Sequence, residues 1–320
     1  DIEKKNFLLI GGAGFIGSQI IELLIKYNAS KIIIFDNFKS GSIKNIEKYL
    51  SNPKVEIFKD GGDILYSDIL ENAMEDIDGV FHLAALWLTE CLEFKESAFE
   101  VNIRGTFNVI NAVIKKNVKK LVFSSSASVY GNQNLEKISE LNTLIEPAEF
   151  YGGTKAACEI MLKSLHNQQL LKNDSFEFIC LRYMNVYGKN QRSQGEHIGV
   201  IPKLINKILS NQDLIIHGDG SQSYDFVNVK DCAIANIKAM ESNETNLFVN
   251  IGTGQSISIK YLAKTLLNLF NKKLNLKFID DINRPIIKNR VASTELAKKT
   301  IGFEAKIDID KGLKDLIKNF

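Results

Sequence analysis

The order of apolar and amphipathic segments predicts an α/β fold for this chain of 320 residues: a Rossmann-type doubly wound parallel sheet with a smaller C-terminal α/β lobe. Three observations carry that expectation. Short apolar runs alternate with helical stretches through the first half, which is βαβα order. The runs lack polar alternation, as expected of strands buried on both faces. The first run leads straight into a glycine-rich turn, Gly11-Gly12-Ala13-Gly14-Phe15-Ile16-Gly17. In chain order the strands are expected at Phe7–Ile10, Lys31–Phe35, Val55–Lys59, Val80–Leu83, Leu121–Ser124 and Phe178–Arg182. Ala98–Lys116 and Lys155–Leu171 have helical periodicity and should flank the sheet.

After Tyr183 the pattern changes. Tyr187–Glu196 is polar and loop-like, Val200–Leu209 is helical with Pro202 near its start, Asp231–Met240 reads as a helix and Leu247–Ile251 as a strand. The expected organisation is therefore discontinuous: a nucleotide-binding domain over 1–183, rejoined by about 226–252, and a second lobe from 184–225 and 253–320. No repeat or low-complexity segment interrupts it.

Forty basic and 38 acidic residues give a net charge of +2 and are interspersed, so neither a nucleic-acid nor a membrane footprint is expected. Cys91, Cys158, Cys180 and Cys232 lack metal-ligand spacing and read as buried free thiols in a reducing compartment, and no metal site is expected. The run at Phe7–Ile10 is too short for a signal or membrane segment. A soluble, cytoplasmic protein is the expectation.

The glycine turn follows a strand and opens a helix, the context in which such a turn lets the backbone approach a pyrophosphate. Gly11, Gly14 and Gly17 would form the turn, with Phe15 and Ile16 at the start of the helix. The next strand ends in Asp36-Asn37, where a carboxylate can accept ribose hydroxyls and repel a ribose phosphate. NAD is thereby favoured over NADP, although Lys39 could offset the repulsion. Asp63-Ile64 can hold an adenine, with Asp63 equally readable as a helix cap. Leu83-Ala84-Ala85 ends a strand in small residues that permit close passage of the cofactor, and His82 reads as structural.

Tyr151 and Lys155 lie four apart, so on a helix they share a face and the ammonium can favour the ionised phenol. A tyrosine tuned in this way can act as a general base, here for hydride chemistry on a nicotinamide. Ser124-Ser125-Ser126 closes the fifth strand at the edge where open α/β sheets bind ligands, and its hydroxyls can reach a substrate alcohol or simply finish a polar strand end.

Together these residues resemble the extended short-chain dehydrogenase/reductases. More narrowly, the chain is similar to the NAD-dependent sugar-nucleotide epimerase/dehydratase family, most like its UDP-glucose 4-epimerase group. Ser124 to Gly131 (SSSASVYG), Leu181 to Gly188 (LRYMNVYG), His217 to Val227 (HGDGSQSYDFV) and Asn250 to Gly254 (NIGTG) complete the match, which covers nearly the whole chain. The resemblance implies that Tyr151 is the base, that Lys155 holds the nicotinamide ribose and lowers the tyrosine pKa, and that Ser126 orients the sugar hydroxyl. Ser124 and Asn102 would lie near the cofactor, Asn185 at the nucleotide-sugar, and Trp87 and Thr89 in the loop that meets the sugar, with Trp87 equally readable as a packing residue. It further implies a nucleotide-sugar partner, oxidation to a keto-sugar with hydride return, and a homodimer formed through helices near 98–116 and 152–171.

Family 4,6-dehydratases carry an Asp-Glu pair after the position of Ser126, where this chain has Ala127-Ser128. Many UDP-sugar epimerases have arginine at Tyr224 and Gly-Asp after the Arg-Pro matched by Arg284-Pro285, where Ile286-Ile287 stand here. Tyrosine supplies no charge to a diphosphate. Arg284 is expected to be the main compensating cation and Arg192 the second, with Arg290 a further candidate; Val200 completes the expected substrate contacts. The leading expectation is an epimerase acting at C4 of a UDP-hexose or UDP-N-acetylhexosamine for surface polysaccharide synthesis. The alternatives are an oxidoreductase on the same fold and a non-catalytic NAD-sensing protein.

Overall fold

In the computed structural model, which describes residues 1–133, 135–172, 174, 176–194, 198–280 and 289–318, six strands alternate with helices as the apolar runs require. They are β1 (Asn6–Ile10), β2 (Lys31–Phe35), β3 (Val55–Ile57), β4 (Gly79–His82), β5 (Lys120–Ser126) and β6 (Glu177–Tyr183). The intervening helices are α1 (Gly17–Lys26), α2 (Ser67–Ala73), α3 (Leu88–Glu93), α4 (Lys95–Ala98), α5 (Thr106–Lys115) and α6 (Phe150–Leu170). Beyond them come β7 (Asn185–Tyr187), α7 (Val200–Leu209), β8 (Leu214–His217), β9 (Ser223–Tyr224), β10 (Phe226–Asn228), α8 (Val229–Glu241) and β11 (Leu247–Ile251). The chain finishes through β12 (Ile257–Ser258), α9 (Ile259–Leu269), β13 (Leu276–Ile279), β14 (Asn289–Arg290), α10 (Glu295–Thr300) and α11 (Ile309–Ile317).

Seven strands form one parallel sheet in the order β11-β6-β5-β4-β1-β2-β3, so the chain does return to it through β11. The order reverses beside β1, and the carboxyl ends of the strands on either side open a crevice there. Two apolar clusters cover the faces. One gathers Phe7, Leu9, Ile20, Phe81, Val122 and Leu181, the other Leu8, Ile10, Val109, Phe123, Leu162 and Phe178. Alternate residues of the same strands feed opposite faces, which is why these runs are apolar throughout. A third cluster, around Tyr187, Ile205, Leu214, Phe226, Leu262 and Leu313, packs the short strands and helices of the C-terminal half.

Two boundaries matter for the site. β5 ends with the serine tract, as expected, because it pairs with β6 as far as Ser126 opposite Tyr183. The helix expected over 98–116 is interrupted by a π-helical turn, Phe99–Gly105, in whose wider coil Asn102 is buried. α6 starts at Phe150, close under the short turn Ala127–Tyr130. Gly152 permits that approach, since a Cβ there would fall 2.4 Å from the Ser128 carbonyl oxygen.

Candidate active site

The glycine turn is built to bring backbone, not side chain, to the crevice floor. Gly11 sits at φ +82°, donates its N–H to the Phe35 carbonyl at 2.8 Å, and would place a Cβ only 2.7 Å from the Ala84 nitrogen. Any larger residue would be strained and would collide with the strand end that lies across it. Gly17 packs behind, against the Gly11 and Gly12 backbone, and its added Cβ would lie 2.7 Å from the Gly11 oxygen. Above the turn lies a cleft of about 1180 Å³, lined by Gly11, Gly14, Phe15, Ile16, Asp36, Asn37, Asp63, Ile64, Leu83, Ala84 and Ala85 among others.

Asp36 reaches back to the turn. Its carboxylate accepts from the Ala13 N–H at 2.9 Å and the Phe38 N–H at 2.8 Å, and burial pushes its pKa above the ordinary value. Its remaining lone pairs face the cleft where ribose hydroxyls would donate. Asp63 accepts from the Leu65 N–H at 3.0 Å, a local turn preceding α2, while still lining the cleft. A glycine-lined floor at a helix start with a carboxylate at the next strand end fits a dinucleotide. Gly14 is open on that side, where a Cβ would meet only the Gly11 oxygen, at 3.1 Å.

Ser126 and Tyr151 line the same cleft, on β5 and in the first turn of α6. Tyr151 is half-buried, and desolvation raises its phenol above the usual range while a hydrogen bond with Ser126 draws it down. Ser126 also accepts from the Ser128 N–H at 3.1 Å, so its hydroxyl is oriented from both sides. Lys155 differs from expectation. Its Nζ donates to the Ser124 carbonyl at 2.7 Å, lies 5.9 Å from the centre of the Tyr151 ring, and has its own pKa lowered by burial. The helical spacing does place it on the tyrosine's face, but the open carbonyl at the strand end captures the ammonium first.

Asn102 and Ser124 lie behind the cleft wall instead of on it. Asn102 Oδ1 accepts from the Leu86 N–H at 2.7 Å and its Nδ2 donates to the Leu86 carbonyl at 3.0 Å, so the side chain is spent on holding the loop after β4. The Ser124 hydroxyl pairs with the Tyr183 hydroxyl at 3.3 Å. His82 is structural, as the sequence reading has it: its Nε2 lies 2.9 Å from the Thr106 hydroxyl, and burial with the Lys155 charge lowers its pKa to about 3.

At the far end the cleft is lined by Trp87, Asn185, Arg192, Val200 and Arg290. Trp87 caps the start of α3 and is 41% exposed on the cleft wall. Tyr224 does not line the cleft; its ring packs against Phe226 at 6.2 Å between centres. Arg284 lies outside the described residues. Beside Arg192, the cation placed here is Arg290, opposite Tyr224 in the β9–β14 register. Its Nη2 donates to the Gly131 carbonyl at 3.0 Å, and its buried Nε has no partner among the described residues. Arg290 lies six residues past Arg284, in the polar run Lys288-Asn289-Arg290, and nothing in its local sequence sets it apart from its neighbours.

A strand-turn-helix dinucleotide floor with a serine–tyrosine pair on the cleft wall and a lysine one helical turn on defines a short-chain dehydrogenase/reductase. The model of the NAD-dependent epimerase/dehydratase family matches residues 7–252, and the chain belongs to that family. It is an enzyme superfamily, and its cofactor is NAD. A putative UDP-glucose 4-epimerase of Methanocaldococcus jannaschii is 36% identical over 97% of this chain and 96% of its own. A UDP-N-acetyl-alpha-D-glucosaminuronate decarboxylase of Bacillus cytotoxicus is 30% identical over 99% and 98%. Among solved structures, the UDP-N-acetylglucosamine 4-epimerase of Methanobrevibacter ruminantium M1, in complex with UDP-N-acetylmuramic acid, superposes with a TM-score of 0.90 at 33% identity, over 99% of this chain and 98% of that one. Among the described residues no helix is long and apolar enough to cross a membrane, and no cluster of His, Cys, Asp or Glu could hold a metal ion.

Proposed function

We propose that the protein is an NAD-dependent nucleotide-sugar epimerase acting at C4 of a UDP-hexose or UDP-N-acetylhexosamine. The observation that carries this reading is the pairing of Tyr151 with Ser126 on the cleft wall, with Ser126 followed in the chain by a turn, Ala127–Ser128, that bears no carboxyl group. Gly11, Gly14, Asp36 and the Leu83–Ala85 strand end would hold NAD, which when bound accepts a hydride from the sugar and returns it. Tyr151 removes the proton of the sugar hydroxyl, and Ser126 holds that hydroxyl in line. Lys155 steadies the strand end beneath them through Ser124.

Elimination of water would need an acid beside Ser126. The carboxylates that do line the cleft, Asp36, Asp63, Glu90 and Glu149, all come from other elements, and Glu90 accepts from the Trp87 N–H at 3.1 Å as part of the cap of α3. Arg290 and Arg192 are the cations we assign to the substrate diphosphate, with Asn185, Trp87 and Val200 around the rest of the nucleotide-sugar. We assign residues 1–183 and 226–252 to NAD and 184–225 and 253–320 to the nucleotide-sugar. The exposed Phe107 of α5 and Ile160 of α6 support pairing of two copies through those helices.

The test is incubation of the purified protein, without added NAD, with UDP-glucose and UDP-N-acetylglucosamine in deuterated water, followed by proton NMR. Epimerisation at C4 without deuterium at that carbon and without accumulation of NADH supports the reading. Stoichiometric NADH would instead make the protein an oxidoreductase, and loss of water or carbon dioxide would place it with the dehydratases or decarboxylases.

A further inference from the structure

Three successive residues at the end of β5 are each tied to α6. The Ser124 carbonyl accepts from Lys155, Ser126 bonds with Tyr151, and between them the Ser125 hydroxyl donates to Glu159 Oε1 at 2.6 Å. Glu159 is four residues beyond Lys155 and, like Arg182, is buried. Arg182 stands opposite Ser125 in the β5–β6 register and grips Glu159 in a fork, Nε to Oε1 at 2.9 Å and Nη2 to Oε2 at 2.6 Å.

The fork is itself anchored. Arg182 Nη1 donates to the Tyr130 hydroxyl at 2.7 Å, which donates to Asn250 Oδ1 at 2.8 Å, and Asn250 Nδ2 donates to the Ile138 carbonyl at 2.9 Å. One network thus fixes α6 to β5, β6, β11 and the turn after Ser126. Burial of two charges contributes little stability over an apolar pair of the same volume, because desolvation offsets the attraction. What it does supply is a fixed distance and angle in a fork that tolerates little displacement.

We propose that the Glu159–Arg182 pair is a positioning device for the reaction centre: through the Ser125 hydroxyl it sets the register of α6 on the end of β5, and so keeps Tyr151 within reach of Ser126. Glu159 and Arg182 do not line the cleft, so they act through other residues. The proposal rests on the reading of Tyr151 as the base. A displacement of about 1 Å at a reacting group costs roughly a hundredfold in rate, so a small shift of α6 is consequential.

The test uses NAD-loaded protein carrying tyrosine labelled with carbon-13 at the ring Cζ, with Tyr151 assigned by its disappearance in Tyr151→Phe. Ser125→Ala removes the hydroxyl that couples the fork to β5 and leaves Glu159 held by Arg182, so no charge is stranded. Its Tyr151 titration midpoint should rise by roughly half a pH unit or more, as expected for a phenol losing a hydrogen bond to its ionised form. On a substrate the parent turns over, kcat should fall about tenfold with KM within about twofold. Glu159→Met/Arg182→Met removes both charges together and should give the same upward shift. A Tyr151 that titrates as in the parent in either folded variant overturns the proposal. Parent-like turnover by Tyr151→Phe overturns instead the base reading beneath it.

Discussion

Lys155 gives its ammonium to the carbonyl oxygen of Ser124, 2.7 Å away, and through that bond closes the first turns of α6 onto the end of β5. The charge is therefore spent on the scaffold as well as on its neighbours. Burial lowers its pKa below 10.5, and the nearby thiols of Cys158 and Cys91 only partly oppose that.

A consequence for stability follows from the sign of this shift. The unfolded chain holds the proton more tightly than the folded one, so protonated Lys155 costs stability at neutral pH, and the cost disappears as pH rises through the folded value towards 10.5. NAD-free Lys155→Met should thus melt at an equal or higher temperature than the parent at pH 7, with the gap closed near 10.5, while its activity is lost. Thermal melts at the two pH values measure this. A variant that melts lower at neutral pH would show that the bond to Ser124 outweighs the desolvation.

Replacing Tyr151 by phenylalanine removes one oxygen and leaves the half-buried ring in place. Turnover should fall by about 10²–10⁴-fold, the usual worth of a general base, with NAD still bound after purification. Ser126→Ala should act in the same direction and move the acid limb of the kcat profile to higher pH, because the Ser126 hydrogen bond is what lowers the phenol pKa against burial. Steady-state kinetics across pH 6 to 10 decides both, and near-parent activity of Tyr151→Phe would remove the base from the mechanism.

Arg290→Ala should raise KM for a UDP-sugar by about 10- to 100-fold, the loss of a charge-assisted hydrogen bond, with little change in NAD content. Its unpartnered Nε and its place beside Tyr224 set that expectation. Arg192→Ala should cost less, since that side chain is exposed. Isothermal titration with UDP ranks the two. Equal affinity of Arg290→Ala and parent would move the diphosphate elsewhere.

Asp36→Asn keeps the shape of the strand end but replaces one acceptor oxygen with an amide that clashes with the Ala13 or Phe38 N–H. NAD affinity should fall about tenfold and the discrimination against NADP should narrow. Fluorescence titration with both reduced dinucleotides reads the ratio, and an unchanged preference would shift the selectivity to the neighbouring Lys39, Ser40 and Ser42.

The backbone of this site was legible in the sequence because it depends on local rules. The Gly11–Gly17 turn, the return of Leu247–Ile251 to the sheet and the placement of Tyr151 on a helix each follow from periodicity or from a turn that only glycine permits. What spacing did not show is which polar groups meet across elements. Asn102 resembles a cofactor residue until the π-helical turn carries it to the Leu86 backbone. Tyr224 and Arg290 come together only through the pairing of β9 with β14. Arg182 did carry a signal, a charge in the apolar run Phe178–Tyr183, where a buried guanidinium needs a partner, but the sequence does not say that the partner is Glu159.

The late return of β11 also bears on how the chain is made. During synthesis the first six strands can pair once Tyr183 has emerged from the ribosome, but β6 then has an open flank until Ile251 follows it. Over that interval the nascent chain offers a seven-residue, largely apolar strand with unpaired backbone groups, a template for pairing with a neighbour. Fragments that stop short of Leu247 should therefore associate, and the C-terminal excursion must be translated before the dinucleotide fold can seal its own side.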